Sequence, residues 1–447
     1  MTDASIPHTP ARVSLIAPDE RTRKRNAAER RFRAYGLAAV GVGLLALVVL
    51  MASILGNGLS AFRQTYVTIE ATLDPAILDP KGQRNPDDLA KVSTIGYGRQ
   101  IDAAVSAAVA RAGIPTDGLT DKQMSGILSK EAPAQLRNKV LADPSLIGQT
   151  VPLRMLANGR VDGFFKGRVS LASAELDSNT SPEQLELAGA MRAAGLMEVG
   201  FNLGFITWPD ASELRPEAAG LGVAMLGSAY MMIIVLVLAL PLGVAASIYL
   251  QEFAPRNRWT DLIEVNIANL AAVPSIVYGI LGLAIFINFA GLPQSAPVVG
   301  GLILTLMTLP TIIIATRASL DAVPPSIRDA ALGVGASKMQ SVFHHVLPLA
   351  LPGIMTGTII GMARALGETA PLLLIGMVAF VRDYPAAPPE GFFDPASALP
   401  VQVYQWTQRA DPAFVERASG AIIVLLVVLM LMNTAAIILR RRFERRW

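Results

Sequence analysis

The stretch LPGIMTGTIIGMARALGETAP, residues 351–371, decides how this chain reads. It opens an apolar run from Leu351 to Phe380 that is long enough, as a helix, to cross a bilayer, a job for about 20 residues. Arg364 and Glu368 interrupt the run four positions apart, so a helix sets both on one face. A charge near the bilayer centre costs roughly 2.5–3.5 kcal/mol on the mildest scale, so such groups face a bundle interior or a water-filled path. Residue chemistry alone leaves two readings open. The pair is either an internal salt bridge that locks helices together or a polar station on a substrate path.

Composition points the same way as the run. Of 447 residues, 52% are hydrophobic and 16% charged, where soluble domains carry about 25% charged residues. This is the balance of an integral membrane protein with soluble mass attached. The net charge of +3 is too small to argue for nucleic acid. Arginine and lysine instead cluster at the two ends, Arg21 to Arg33 and Arg440 to Arg446, beside apolar spans, which is the positive-inside pattern. With no cysteine, disulfides, thiolate metal sites and a cysteine nucleophile are excluded. The three histidines, His8, His344 and His345, do not form a metal cage.

Taken in order, residues 1–34 read as a basic cytoplasmic tail and 35–57 as the first transmembrane helix, its apolar part running from Tyr35 to Leu55. That part is longer than a signal-peptide core, so a retained span is expected, with a cleaved signal as the alternative. Residues 58–218 mix both signs of charge and hold no spanning run, which suits one compact α+β insert outside the membrane. Within it Asp87 to Ile114 reads as a helix, Val151 to Val161 as a hairpin turning at Asn158-Gly159, and Ser181-Pro182 as a capped helix start. Five further spans are expected in the core at 219–441: Leu221–Leu250, Leu262–Phe289, Val298–Leu320, Leu351–Phe380 and Gly420–Leu439. Residues 442–447 form a short cytoplasmic tail. An even span count returns the carboxyl end to the side of the amino end, in agreement with the arginine clusters. The many glycines and prolines in these spans read mainly as packing features.

Between the fourth and fifth spans, Pro324-Pro325-Ser326 punctuates the chain and Ile327-Arg328-Asp329-Ala330-Ala331 opens a short helix. Gly333 and Gly335 break it, and a second amphipathic turn leads to Leu347-Pro348. Two short helices protruding from a membrane protein would offer a docking surface; an ordinary connecting loop is the plainer reading. Asp329-Ala330-Ala331, Gly335 and Leu347-Pro348 resemble the EAA loop of binding-protein-dependent ABC importer permeases, with Asp329 in place of the usual glutamate and His345 in place of an aliphatic residue. Pro241 to Pro255, Val273 to Gly282, Leu309 to Arg317 and Arg364 to Pro371 are similar to segments of phosphate permeases. Residues 219–441 thus resemble the PstA-type subunits of bacterial phosphate ABC importers, with an extra extracytoplasmic insert.

The resemblance implies an all-α polytopic membrane protein with six transmembrane helices and the type I ABC importer permease fold, carrying an α+β extracytoplasmic insert between spans one and two. It implies a bacterial inner-membrane protein with both termini cytoplasmic. Arg364, Glu368 and Thr369 would line the phosphate pathway. Asp329, Ala330, Ala331, Gly335, Leu347 and Pro348 would form the loop that couples to an ATPase. Implied partners are an ATP-binding subunit pair, a second PstC-type permease, a periplasmic phosphate-binding protein, phosphate and membrane lipid. No cofactor, metal or catalytic residue is expected in this chain, since ATP and magnesium belong to the ATPase. The nearest look-alike to a nucleotide loop, Gly333 to Lys338, has the wrong spacing and is followed by Met339 where Ser or Thr should bind magnesium. Arg317, at the end of the fourth span, is either an exit charge or a positive-inside anchor. The rival readings are a permease for sulfate or molybdate and a membrane sensor whose outer domain does the work.

Overall fold

The computed structural model describes residues 20–443, apart from 80, 81, 83, 85–88, 117, 378 and 379. It divides into two units, 1–55 and 56–447. The first unit, where described, is helix α1 (Glu20–Gly58) up to Leu55. The helix starts well before Tyr35, so Arg21 to Arg33 lie on the same helix as the apolar run and not in a separate tail. Its alanines, arginines and glutamates are good helix formers, which lets the helix extend beyond the apolar stretch.

The second unit begins with a small α+β body. Strands β1 (Arg63–Thr72), β2 (Thr150–Leu156) and β3 (Met197–Phe201) form an antiparallel sheet in the order β2-β1-β3. Tyr66 sits opposite Leu156 on one side and Glu198 on the other. Helices α2 (Thr94–Arg111), α3 (Ala132–Ala142), α4 (Gly159–Phe165) and α5 (Pro182–Ala193) share its core, which includes Val67, Ile69, Val105, Leu136, Met155 and Leu185. The Asn158-Gly159 hairpin does not form. Asn158 instead caps α4, its side chain accepting from the amides of Arg160 and Val161, and β2 pairs with a strand 78 positions upstream in the Thr72–Thr150 register. Asn at a turn and Asn at a helix start look alike in sequence. Ser181 does cap α5, in a reciprocal box with Gln184. α2 starts at Thr94 under a Ser93 cap, not at Asp87; Asp87 and Asp88 lie outside the described residues.

Beyond the insert come α6 (Gly222–Ile248), α7 (Arg258–Ala271), α8 (Ser275–Gly282), α9 (Pro297–Asp321), α10 (Pro325–Gly333), α11 (Leu347–Gly367), α12 (Ala370–Leu374), α13 (Leu399–Gln408) and α14 (Ala413–Phe443). Among the described residues five helices are long and apolar enough to cross a membrane, and a sixth crossing exists if the bent pair 258–289 counts as one. The pair does run from one end of the bundle to the other. Glu264 on α7 is bonded to Arg317 near the end of α9, whereas Ser295, just beyond the pair, precedes the start of α9 and bonds Ile375 and Ala396. The third span is therefore not the straight helix expected over Leu262–Phe289. It bends by 101° between α7 and α8. Pro274 supplies no amide there, and the Tyr278 hydroxyl donates to the Leu270 carbonyl at 2.7 Å across the bend.

The fifth span differs too. Its helix begins at Lys338 and ends at Gly367, so it starts and stops earlier than Leu351–Phe380. Leu347-Pro348 does not end a short helix; it lies in the first turn of α11. A π-helical turn over Val342–Val346 precedes it, and that wider turn fits a proline, which has no amide to donate. Gly353 lies against Ser319, Gly357 against Ala315 and Gly361 toward Ile312 and Thr308. These pairs fix α11 and α9 as antiparallel neighbours, and at Gly353 and Gly357 an added Cβ would collide with Ser319 and Ala315, so the approach there needs glycine.

Candidate functional site

That register sets the depth of the charged pair. Continuing one turn beyond Gly361 brings Arg364 level with the middle of α9, although Arg364 sits in the last turn of its own helix. Here the chain breaks. Glu368 is extended (φ −77, ψ 130), and the Thr369 carbonyl accepts from the amides of Leu372 and Leu373, each at 3.1 Å, to start α12. Arg364 Nε lies 3.6 Å from Glu368 Oε1, with the arginine side chain 46% exposed and the glutamate 20%. Charge-assisted bonds run near 2.7–2.9 Å, so this pair is loose, and among the described residues the guanidinium has no closer carboxylate. α8 packs on the far side of the break: a Cβ on Gly279 would come within 2.7 Å of the Pro371 Cα. Two interrupted helices, one broken at Pro274 and one at Glu368, thus meet at mid-depth. Arg364, Glu368 and Thr369 all belong to this place.

At the opposite end, α10 carries Asp329 and Ala330 exposed and Ala331 buried. The turn after it passes through Gly335 at φ +91, a left-handed backbone that favours glycine. Leu332, Val334 and Met339 stand out into solvent around that turn. Underneath, Val342, Val346 and Ala350 pack with Ile248, Leu320 and Val323. Sequence reasoning missed the lock. Arg328 Nη2 reaches Glu252 Oε1 at 2.7 Å and the Leu320 carbonyl at 2.8 Å, and Nη1 donates to Val323 O at 2.7 Å. The signal available was a lone glutamate, Glu252, at the end of an apolar span. Arg317, read as an exit charge or an anchor, is held by Glu264 at 2.7 Å.

A third cluster had no sequence signal. Where the insert meets α14, Lys166 Nζ sits 2.6 Å from Asp162 and 2.8 Å from Glu416, and Arg168 Nε 2.6 Å from Glu416. Asp162 also accepts from the amide and hydroxyl of Thr65, both at 2.9 Å. Arg417, fully buried over the Phe205 ring, bonds Gln64 Oε1 at 2.8 Å and the Glu217 carbonyl at 3.2 Å. Burial holds the Glu217 carboxyl above its ordinary range, against the opposing bond from Ser129. Partners separated by about 250 positions leave no local pattern to read.

Long apolar helices, breaks at mid-depth and one short helix protruding at one end define a polytopic membrane protein. Residues 239–447 match the family model described as binding-protein-dependent transport system inner membrane component, and residues 19–175 match a domain of unknown function, DUF3333. The chain is 33% identical over 218 residues to the "Probable ABC transporter permease protein YqgI" of Bacillus subtilis, covering 47% of this chain and 72% of that one. It belongs to the ABC transporter permease family, with the type I importer permease fold, and is a transport subunit, not an enzyme. Two further relatives are named phosphate transport system permease proteins. "PstA 1" of Mycobacterium tuberculosis is 35% identical over 158 residues, 35% of this chain and 51% of that one, and "PstA" of Xylella fastidiosa is 32% identical over 190 residues, 42% and 64%. This chain therefore spans about half to two thirds of these phosphate permeases. A chain of an inward-facing MetNI methionine ABC transporter aligns with TM-score 0.40 at 18% identity, covering 50% of this chain and 97% of that one.

Proposed function

We propose that this chain is a transmembrane subunit of an ATP-driven importer of inorganic phosphate. The observation that carries the reading is Arg364, a half-exposed arginine at mid-depth beside a helix break. Its exposure means that it faces out of this chain. Lipid there would cost the charge several kcal/mol, so the side chain fits a path shared with a second permease subunit. A guanidinium fork matches phosphate oxygens. Glu368, 3.6 Å away, orients it and keeps anion binding weak enough for release. Relatives named as phosphate permeases support the substrate.

On this reading the Asp329–Gly335 surface couples to a pair of ATP-binding subunits, which hold the ATP and magnesium. A PstC-type permease completes the path, and a periplasmic phosphate-binding protein delivers the ion. The insert faces the periplasm and both termini the cytoplasm. The test is radiolabelled phosphate uptake in a deletion strain. Arg364→Gln should abolish uptake, down at least tenfold, while the subunit still co-purifies with its ATPase. Normal uptake by this variant ends the pathway role, and uptake of sulfate or molybdate in place of phosphate overturns the substrate.

A further inference from the structure

Three large apolar side chains stand at one edge of the insert, outside its core. Leu59, Phe201 and Leu203 are 55%, 63% and 60% exposed. Scattered exposed apolar residues are ordinary on a soluble surface, but these three are neighbours. Phe201 on β3 is the register partner of Arg63 on β1. Asn202 donates its amide to the Phe62 carbonyl at 2.8 Å and its side chain to the Ala61 carbonyl at 3.2 Å. Leu59 opens the short 3-10 turn Leu59–Phe62 that leads into β1.

Contacts with α14 set the depth of this edge. Ala418–Leu439 of α14 carries no charged residue and is bounded by Arg417 and Arg440. As a helix that segment rises about 33 Å, close to the roughly 30 Å of a bilayer's hydrocarbon core. Gly420 therefore lies at the border of the apolar span on the insert's side. A Cβ there would come within 2.6 Å of Ala61 and 2.9 Å of the Phe205 ring, and one on Gly58 within 2.7 Å of Ser419. Leu59 follows Gly58, and Phe201 and Leu203 are bonded through Asn202 to the Ala61–Phe62 turn, so all three lie near that border. Arg63 is exposed beside Phe201 and has no ion pair among the described residues. Its long stem can lie along apolar surface while the guanidinium stays among polar groups.

We propose that this edge of the insert is a lipid-contacting surface: Leu59, Phe201 and Leu203 dip into the bilayer border, and Arg63 binds the phosphate oxygens of anionic lipid headgroups. Lipid is the occupant because the edge continues the level at which α14 leaves the apolar span. It also sets an unpaired cation beside apolar side chains, as a leaflet sets phosphate beside hydrocarbon. The insert is then seated on the membrane through the β3 edge, whichever ion the importer carries.

The test uses the complete importer in nanodiscs containing phosphatidylglycerol. This chain has no cysteine, so once any in the other subunits are replaced, a nitroxide on Phe201→Cys or Leu203→Cys reports from one place. Oxygen partitions into hydrocarbon and a nickel chelate stays in water, so the ratio of their collision rates with the label reads depth. Leu176→Cys is the reference. Leu176 is 92% exposed on the same insert, and Asp177 beside it is tied through Arg160 to Asp411, beyond the start of α14. The ratio at 201 and at 203 should exceed that at 176 at least about fivefold, as for side chains immersed by several ångströms. Arg63→Glu should lower the ratio at 201 at least about twofold, and Arg63→Lys should keep it, since only the glutamate is repelled by anionic headgroups. Equal ratios at 201, 203 and 176 put the edge in water and overturn the proposal. Labels shielded from both probes put a protein subunit against the edge and overturn it as well. An unchanged ratio in Arg63→Glu overturns the headgroup contact.

Discussion

Single residues carry unequal burdens in this chain. Glu416 is nearly fully buried between Lys166 and Arg168. Removing one partner of a buried pair strands the other charge, at a cost of roughly 3–5 kcal/mol. Glu416→Ala should therefore lower the melting temperature of the detergent-solubilised protein by many degrees, and Lys166→Met added to Glu416→Leu should recover much of the loss, because the charges that remain, Asp162 and Arg168, already lie 3.7 Å apart and balance each other. A double variant no better than Glu416→Ala would show that the pair does not act as one unit. Glu217 gives a pH prediction. Burial holds its folded pKa above the ordinary value of 4.5, so the folded chain keeps a proton that the unfolded chain gives up. Unfolding then releases a proton, and stability falls as pH rises from about 4.5 through the raised value. Glu217→Gln stays neutral throughout and should give melts with a flatter pH dependence over that interval. An equal slope in the variant would place the titration elsewhere.

At the scale of elements, glycine positions test the packing. Gly335 holds φ +91 in the exposed turn after α10. A β-branched residue there is strained, by about 1–2 kcal/mol on the left-handed penalty. Gly335→Val should thus distort the turn and reduce uptake severalfold, with the subunit still present in the membrane; full uptake would show that the turn geometry does not matter for coupling. The length of the apolar runs made the straight spans legible, and the glycines read as packing features include Gly353 and Gly357, which lie hard against α9. The breaks were harder to see. Pro274 stood out in sequence, but a proline inside an apolar run reads equally as a kink or a 101° bend. The Leu351–Phe380 run looked continuous because hydropathy does not register the extended backbone at Glu368. Arg364 and Glu368 were legible as a pair by their spacing, whereas the Asp162–Lys166–Glu416 cluster was not, since tertiary contact alone assembles it. Asn158 misled because a turn and a cap use the same side chain.

At the scale of the molecule, the two ends of the bundle differ in kind. One end gathers the insert, Ser295, Tyr384 and Arg409, joined by Tyr384 to the Thr207 carbonyl and by Arg409 to Asp210. The other gathers Glu252, Arg317 and Arg328 around the protruding α10 turn. A chain without cysteine allows this polarity to be read cleanly, since every single substituted cysteine is the only thiol in the subunit. Ser178, Arg256, Gln294 and Ser337 are exposed. With the insert outside, Ser178→Cys and Gln294→Cys should react with a membrane-impermeant maleimide in spheroplasts. Arg256→Cys and Ser337→Cys should react only after the membrane is permeabilised. The comparison of Arg256 with Gln294 is the sharper one, because the bent pair 258–289 lies between them. Opposite labelling makes the pair one crossing and gives six spans; labelling from the same side makes it a re-entrant loop, leaves five, and puts the two ends of the chain on opposite sides of the membrane.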